Sequence, residues 1–169
     1  MSAIGGLGRS FDINSVIVPV DLATAANTGN RTHLANYGGV CFVGYLATGT
    51  AAENPTFDVR QHTAATAGTS ADLDTVAVYY YKEEATLDGD ETWTRGTQTA
   101  ASEVTSTDWD DAYQVLVAIE VFATDLTDGY NWVSVDVADP GTAHLGCVLA
   151  IMFDLKEQRR PDRLVQPNA

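Results

Sequence analysis

The chain has 169 residues, 45% of them hydrophobic, and a formal net charge of −14, the size and apolar content of one globular domain with its own core. A body this acidic repels nucleic-acid phosphates, because affinity for them needs clustered Lys and Arg. No apolar run approaches the roughly 18–20 residues of a membrane span, and no charged segment precedes an apolar one at the N-terminus, so neither a spanning helix nor a secretory signal is expected.

Residues 1–14 hold four glycines and no sustained pattern, and read as an extended arm with Leu7 and Phe11 as apolar anchors. A first strand is expected over Ser15–Leu22, with Pro19 suited to an edge or a bulge. The loop 23–30 is rich in Ala, Thr, Asn and Gly, and Arg31–Leu34 reads as a short strand before the turn Asn36-Tyr-Gly-Gly39. Val40–Ala47 is nearly continuous apolar sequence, as in a strand covered on both faces or placed at a subunit contact.

Pro55–Gln61 alternates, with Phe57 and Val59 against Asp58 and Arg60, and Thr63–Ala71 reads as a loop of small residues. Thr75–Lys82 joins β-branched and aromatic side chains, a strong strand signal. Leu87–Glu91 is a turn, Thr92–Thr99 a polar strand centred on Trp93, and Thr105–Asp111 a loop with room for one helical turn. Tyr113–Phe122 is the longest strand, apolar on both faces except at Glu120. Asp125–Gly129 turns the chain into the alternating Trp132–Val137. Asp139-Pro-Gly141 is a further turn, and Leu145–Phe153 closes the domain. Eight or nine short strands separated by turn residues, with no sustained 3.6-residue period, predict an all-β antiparallel sandwich of jelly-roll type. It spans residues 15–154, between the arm and a tail at 155–169.

Charge is uneven along the chain. The tail carries Lys156, Arg159, Arg160 and Arg163 against Glu157 and Asp162, a net +2, which leaves −16 for the body. Acidity of this kind keeps a protein soluble when crowded; a basic tail on it also suits docking to an acidic partner or to a neighbouring copy. Cys41 and Cys147 lie inside apolar runs with no zinc spacing, so buried free thiols are expected, though a disulfide between adjacent strands is not excluded by sequence.

Parts for catalysis are scarce. There is no Gly-x-Ser-x-Gly elbow, and His33, His62 and His144 lie far apart in unlike contexts. Asp110 and Asp111 beside Trp109 form an acid–aromatic cluster able to face a sugar, yet no second acidic cluster stands opposite. Asp88-Gly-Asp90-Glu91 and Asp125–Gly129 are oxygen-rich but lack calcium-loop spacing and read as turns. Gly5-Gly-Leu-Gly8 has neither strand before it nor helix after it, so it is no phosphate loop. Trp93, Trp109, Trp132 and Tyr79–Tyr81 suit either a carbohydrate platform or a core and interface. No enzyme, no metal and no cofactor is expected.

Several stretches carry a resemblance: 18–27 (VPVDLATAAN), 36–39 (NYGG), 61–68 (QHTAATAG), 72–74 (DLD), 93–99 (WTRGTQT), 117–120 (VAIE), 133–139 (VSVDVAD) and 145–150 (LGCVLA). Over most of residues 16–165 the chain resembles a family of small virion proteins encoded by tailed phages near their capsid genes, although its tail is more basic than the family's pattern. The resemblance implies a structural component, a minor capsid or head-decoration protein, made in the bacterial cytoplasm and carried on the capsid surface, with no activity and no functional residues to transfer. Its expected partners are the major capsid protein or other virion proteins and further copies of itself, a trimer or ring included, with no nucleic acid and no membrane. Leu7, Arg9, Phe11, Lys156, Arg159, Arg160 and Arg163, in the two terminal segments, are the expected contacts. The competing readings are a carbohydrate- or receptor-binding module using Trp109 and its acids, a tail or neck component of the same virion, and a sandwich hydrolase.

Overall fold

The computed structural model describes residues 5–50, 54–106, 109 and 113–164. Eleven strands form: β1 (Phe11–Asp21), β2 (Thr32–His33), β3 (Gly39–Leu46), β4 (Phe57–His62), β5 (Ser70–Asp72), β6 (Val76–Glu84), β7 (Thr94–Ala101), β8 (Glu103–Val104), β9 (Gln114–Phe122), β10 (Trp132–Val137) and β11 (Leu145–Phe153). They pair antiparallel in two sheets, one ordered β1-β11-β3-β9-β6-β7 and the other β2-β10-β4-β5, with β8 also on β4. With the β6–β7 hairpin and β8 set aside, the other eight strands run 1-8-3-6 in one sheet and 2-7-4-5 in the other. That is the strand order of a jelly roll. The hairpin extends the first sheet beyond β9.

Period-two alternation puts one face of each sheet inward. Val115, Val117, Ile119 and Val121 of β9 face Val133, Val135 and Val137 of β10 and Phe57 and Val59 of β4, all essentially inaccessible. Trp109 is fully buried at the centre of this core. Its ring meets Phe57 and Tyr79 edge-on at 5.7 Å and Tyr81 at 6.1 Å, so one side chain from a connecting segment packs against strands of both sheets.

The strands differ from the sequence reading in three places. β1 begins at Phe11 rather than Ser15, because Phe11–Asn14 pair with Phe153–Ala150 of β11, a partner 140 residues away that no local pattern reveals; the extended arm is correspondingly shorter. Its register with β11 is interrupted between Ile17 and Val20, around Pro19, as an edge-strand proline requires. β5 forms inside the expected small-residue loop because Ser70–Asp72 add to the free edge of β4. The two-residue β8 was not expected at all. Most of the 105–111 loop, with Asp110 and Asp111, lies outside the described residues, as do residues 1–4 and 165–169. No helix among the described residues is long and apolar enough to cross a membrane.

Candidate functional site

The terminal segments meet. Gly6 accepts from the backbone of Ser10 at 2.7 Å, and Gly8 donates to Phe11 O at 2.8 Å, making a tight N-terminal turn. The backbone of Arg159 then donates to Gly8 O at 2.8 Å. Gly8 has φ +79°, and a Cβ there would lie 2.3 Å from Arg159 O, so conformation and space both demand glycine. Further along, the backbone N–H groups of Lys156 and Glu157 donate to the main-chain and side-chain oxygens of Asn36, each at 2.9 Å, and Lys156 Nζ donates to Ala35 O at 2.8 Å. Leu155 is buried, and Leu164 packs against the core. Over its described part the tail is therefore seated on the body rather than extended from it.

This seating sets Gly8, between Leu7 and Arg9, against Arg159. Arg9 lines a depression with Asp154, Leu155 and Gln158, while Lys156 is directed to Ala35. Arg159 pairs with Glu157, and Arg160 and Arg163 share Asp162 at 3.2 and 3.6 Å. These pairs are exposed and contribute little to stability.

The solvent faces of the two sheets differ in chemistry. On the β2-β10-β4-β5 sheet, Arg60 of β4 sits 3.3 Å from Asp58 and 3.2 Å from Asp72. Neighbouring His62 is held by Ser70 Oγ at Nδ1 (2.7 Å) and Ser134 Oγ at Nε2 (2.9 Å). Arg31 donates to Ala64 O, Ala67 O and Ser70 Oγ, fixing the 63–70 loop. Burial, aided by Arg31 and Arg60, pushes the His62 pKa down to about 4. The imidazole is thereby held neutral near pH 7, bridging Ser70 and Ser134. The register also sets His33 and His62 on either side of Trp132, with His33 stacked on its ring at 4.3 Å; both nitrogens of His62 are already engaged, and His144 lies at the far end beside Gly49.

The outer face of the other sheet is apolar. Pairing defines rows across it. A central row runs Ser15, Leu149, Val43, Ala118, Tyr80. One flanking row runs Ile13, Ile151, Cys41, Glu120, and the other Cys147, Tyr45, Leu116, Lys82. Tyr45 is 48% exposed, Ile13 48% and Leu149 41%. Val43, Tyr45, Leu116, Cys147 and Leu149 line a groove with Lys82 and Glu91, and a second depression continues past Tyr45 and Cys147 to Pro19 and Leu145. Both cysteines are free and half-buried on this outer face, not in the core. They sit four positions apart along neighbouring strands, too far for a disulfide. Burial, with the nearby Glu120 carboxylate, raises the Cys41 thiol to about 11, which suppresses its thiolate.

The remaining aromatic and acidic candidates resolve separately. Trp109, fully enclosed, offers no ring face to a sugar. Trp93 is exposed, with Lys82 Nζ 5.2 Å over its ring. Glu84, Asp88, Asp90 and Glu91 bring carboxylate oxygens within 4.8 Å of one another. Glu91 accepts from the backbone N–H groups of Asp88 and Gly89, and Gly89 has φ +104°, so this geometry is that of the turn read from sequence. Partial desolvation and the neighbouring acids raise Glu84, and the Asp88 charge raises Asp90.

Neither a family model, nor a curated protein, nor a solved structure matches the chain.

Proposed function

We propose that this chain is a non-enzymatic structural protein of a tailed-phage virion, a head-decoration or minor capsid protein that binds the capsid lattice through the patch made by its two terminal segments. The observation that carries the reading is the Gly8–Arg159 clasp. It joins the segment that holds Leu7, Arg9 and Phe11 to the tail segment that holds Lys156, Arg159, Arg160 and Arg163, on a body of net charge −16. Apolar and arginine side chains on adjoining segments suit an interface, where Arg is enriched. Modest contacts per copy become strong when many copies bind a symmetric lattice. The resemblance to tailed-phage virion proteins supports the same reading, with the major capsid protein as partner and the capsid surface as location.

The test is occupancy on particles of the encoding phage assembled without the protein. Because Leu155 and the Asn36 contacts belong to the fold, charge substitution is cleaner than truncation. The combination Arg9→Glu, Arg160→Glu and Arg163→Glu should leave a folded protein whose occupancy falls about tenfold or more. Full occupancy by this variant removes the patch from the interface, and absence of the wild-type chain from purified particles removes the virion reading. A tail or neck component would use the same patch and is told apart by finding the protein in separated tails.

A further inference from the structure

We infer that the apolar outer face of the six-stranded sheet is a homotypic interface, on which two copies of this chain stack face to face about a two-fold axis along the Ser15–Leu149–Val43–Ala118–Tyr80 row. This goes beyond the proposed capsid docking and uses a different surface.

Size is the first argument. The five strands β1, β11, β3, β9 and β6, about 4.8 Å apart and some eight residues long at about 3.3 Å each, outline roughly 600 Å² in projection. Side-chain relief brings the accessible area near the roughly 800 Å² per partner that stable interfaces bury. Within that outline Ile13, Tyr45 and Leu149 are exposed and Val43, Leu116 and Cys147 half-buried, an apolar patch of the kind that often marks a contact surface.

Charge names the occupant. Each copy carries −14, so two copies repel through most of their surface. The three rows hold one acid, Glu120, and one base, Lys82, on opposite sides of the central row, with Glu84 and Glu91 at the rim. Arg95, paired with Tyr80 from the edge strand β7, lines a depression with Glu120. An isologous interface needs a surface complementary to itself under rotation. A two-fold axis along the central row, in the plane between stacked sheets, exchanges the two flanking rows and keeps each strand over its counterpart. Glu120 of one copy then lies over Leu116 of the other, one strand from its Lys82, and the same pair forms a second time by symmetry. Sheets stacked about 10 Å apart leave a lysine side chain enough reach to close that contact.

The experiment is the mass of the purified full chain by sedimentation or light scattering, over a concentration series. Wild type should approach twice the 18.0 kDa chain mass. Leu149→Glu should be monomeric, with thermal melting of the monomer near that of wild type. Glu120→Lys and Lys82→Glu should each weaken the dimer about tenfold, and the double exchange should restore it to within about threefold. A wild-type monomer at about 100 µM, or a dimer indifferent to Leu149→Glu, overturns the interface. So does a protein monomeric alone whose binding to capsids is lost in Leu149→Glu, since the occupant is then a different chain. Failure of the double exchange to restore overturns the two-fold arrangement, as does a trimer. The Arg9, Arg160 and Arg163 substitutions leave the dimer untouched, so this result and that of the capsid test are read independently.

Discussion

The two outer faces of this sandwich differ, one built on short strands and largely polar, the other on longer strands and largely apolar. On the smaller sheet several outward polar groups meet one another. Arg60 lies between Asp58 and Asp72, His62 between Ser70 and Ser134, and Gly29 N donates to Asp136 at 2.9 Å. On the larger sheet most outward positions are Leu, Val, Ile, Tyr and Cys, with Ser15, Glu120 and Lys82 among them, and apolar groups leave water only by meeting another surface. A face that satisfies itself advertises nothing. A face that cannot satisfy itself is where binding is to be sought.

That contrast can be broken at measurable points, beginning with the core that both faces share. Trp109→Ala removes the ring lying between Phe57, Tyr79 and Tyr81 and should destabilise the domain by about 3–5 kcal/mol in denaturant titrations, the cost of an unfilled core cavity. A small loss would mean that the two sheets pack without it. Next is the polar face. The folded imidazole of His62 accepts its proton only near pH 4, whereas the unfolded one does so near 6.5. The unfolded chain therefore binds more protons across that window, and stability falls as pH drops from 6.5 towards 4, by on the order of 1–3 kcal/mol. His62→Gln keeps hydrogen-bonding capacity toward the serines and should flatten that part of the profile; an unchanged slope would assign it to other groups. The smallest effects separate the faces directly. Arg60→Ala should cost at most about 1 kcal/mol, since its pairs are partly exposed. Leu149→Ser should change monomer stability by no more than about 0.5 kcal/mol while still weakening self-association. If Leu149→Ser costs the monomer more than Arg60→Ala, the apolar face is part of the fold rather than a free surface.

Much of the architecture was legible. Trp132–Val137 and Leu145–Phe153 were read with the boundaries that β10 and β11 have, because alternation and flanking turns agree there. The Asp139-Pro-Gly141 turn is confirmed by Gly141 donating to Asp139 Oδ1 at 2.7 Å with φ +87°. Missed elements share one cause. β5 and β8 are strands only because β4 offers a free edge, and neither Ser-Ala-Asp nor Glu-Val carries a periodic signal of its own. The start of β1 depends on β11, and the seated tail depends on Asn36 and on a glycine at position 8. The aromatic residues were ambiguous for a related reason, since composition does not say whether Trp109 or Trp93 is enclosed.

The sequence by itself determined that the chain is an acidic, all-β domain of many short strands, because period-two alternation and turn residues act locally. It also left the apolar strand Val40–Ala47 open to two explanations, cover on both faces or a subunit contact. Tertiary structure decided which of its residues face the core. Pairing β3 between β11 and β9 turns Val40, Phe42 and Leu46 inward and Cys41, Val43 and Tyr45 outward, where Tyr45 is exposed and the other two half-buried. Local sequence specifies which residues alternate. Only the order of strands in the sheet specifies which alternate face meets the core and which faces outward.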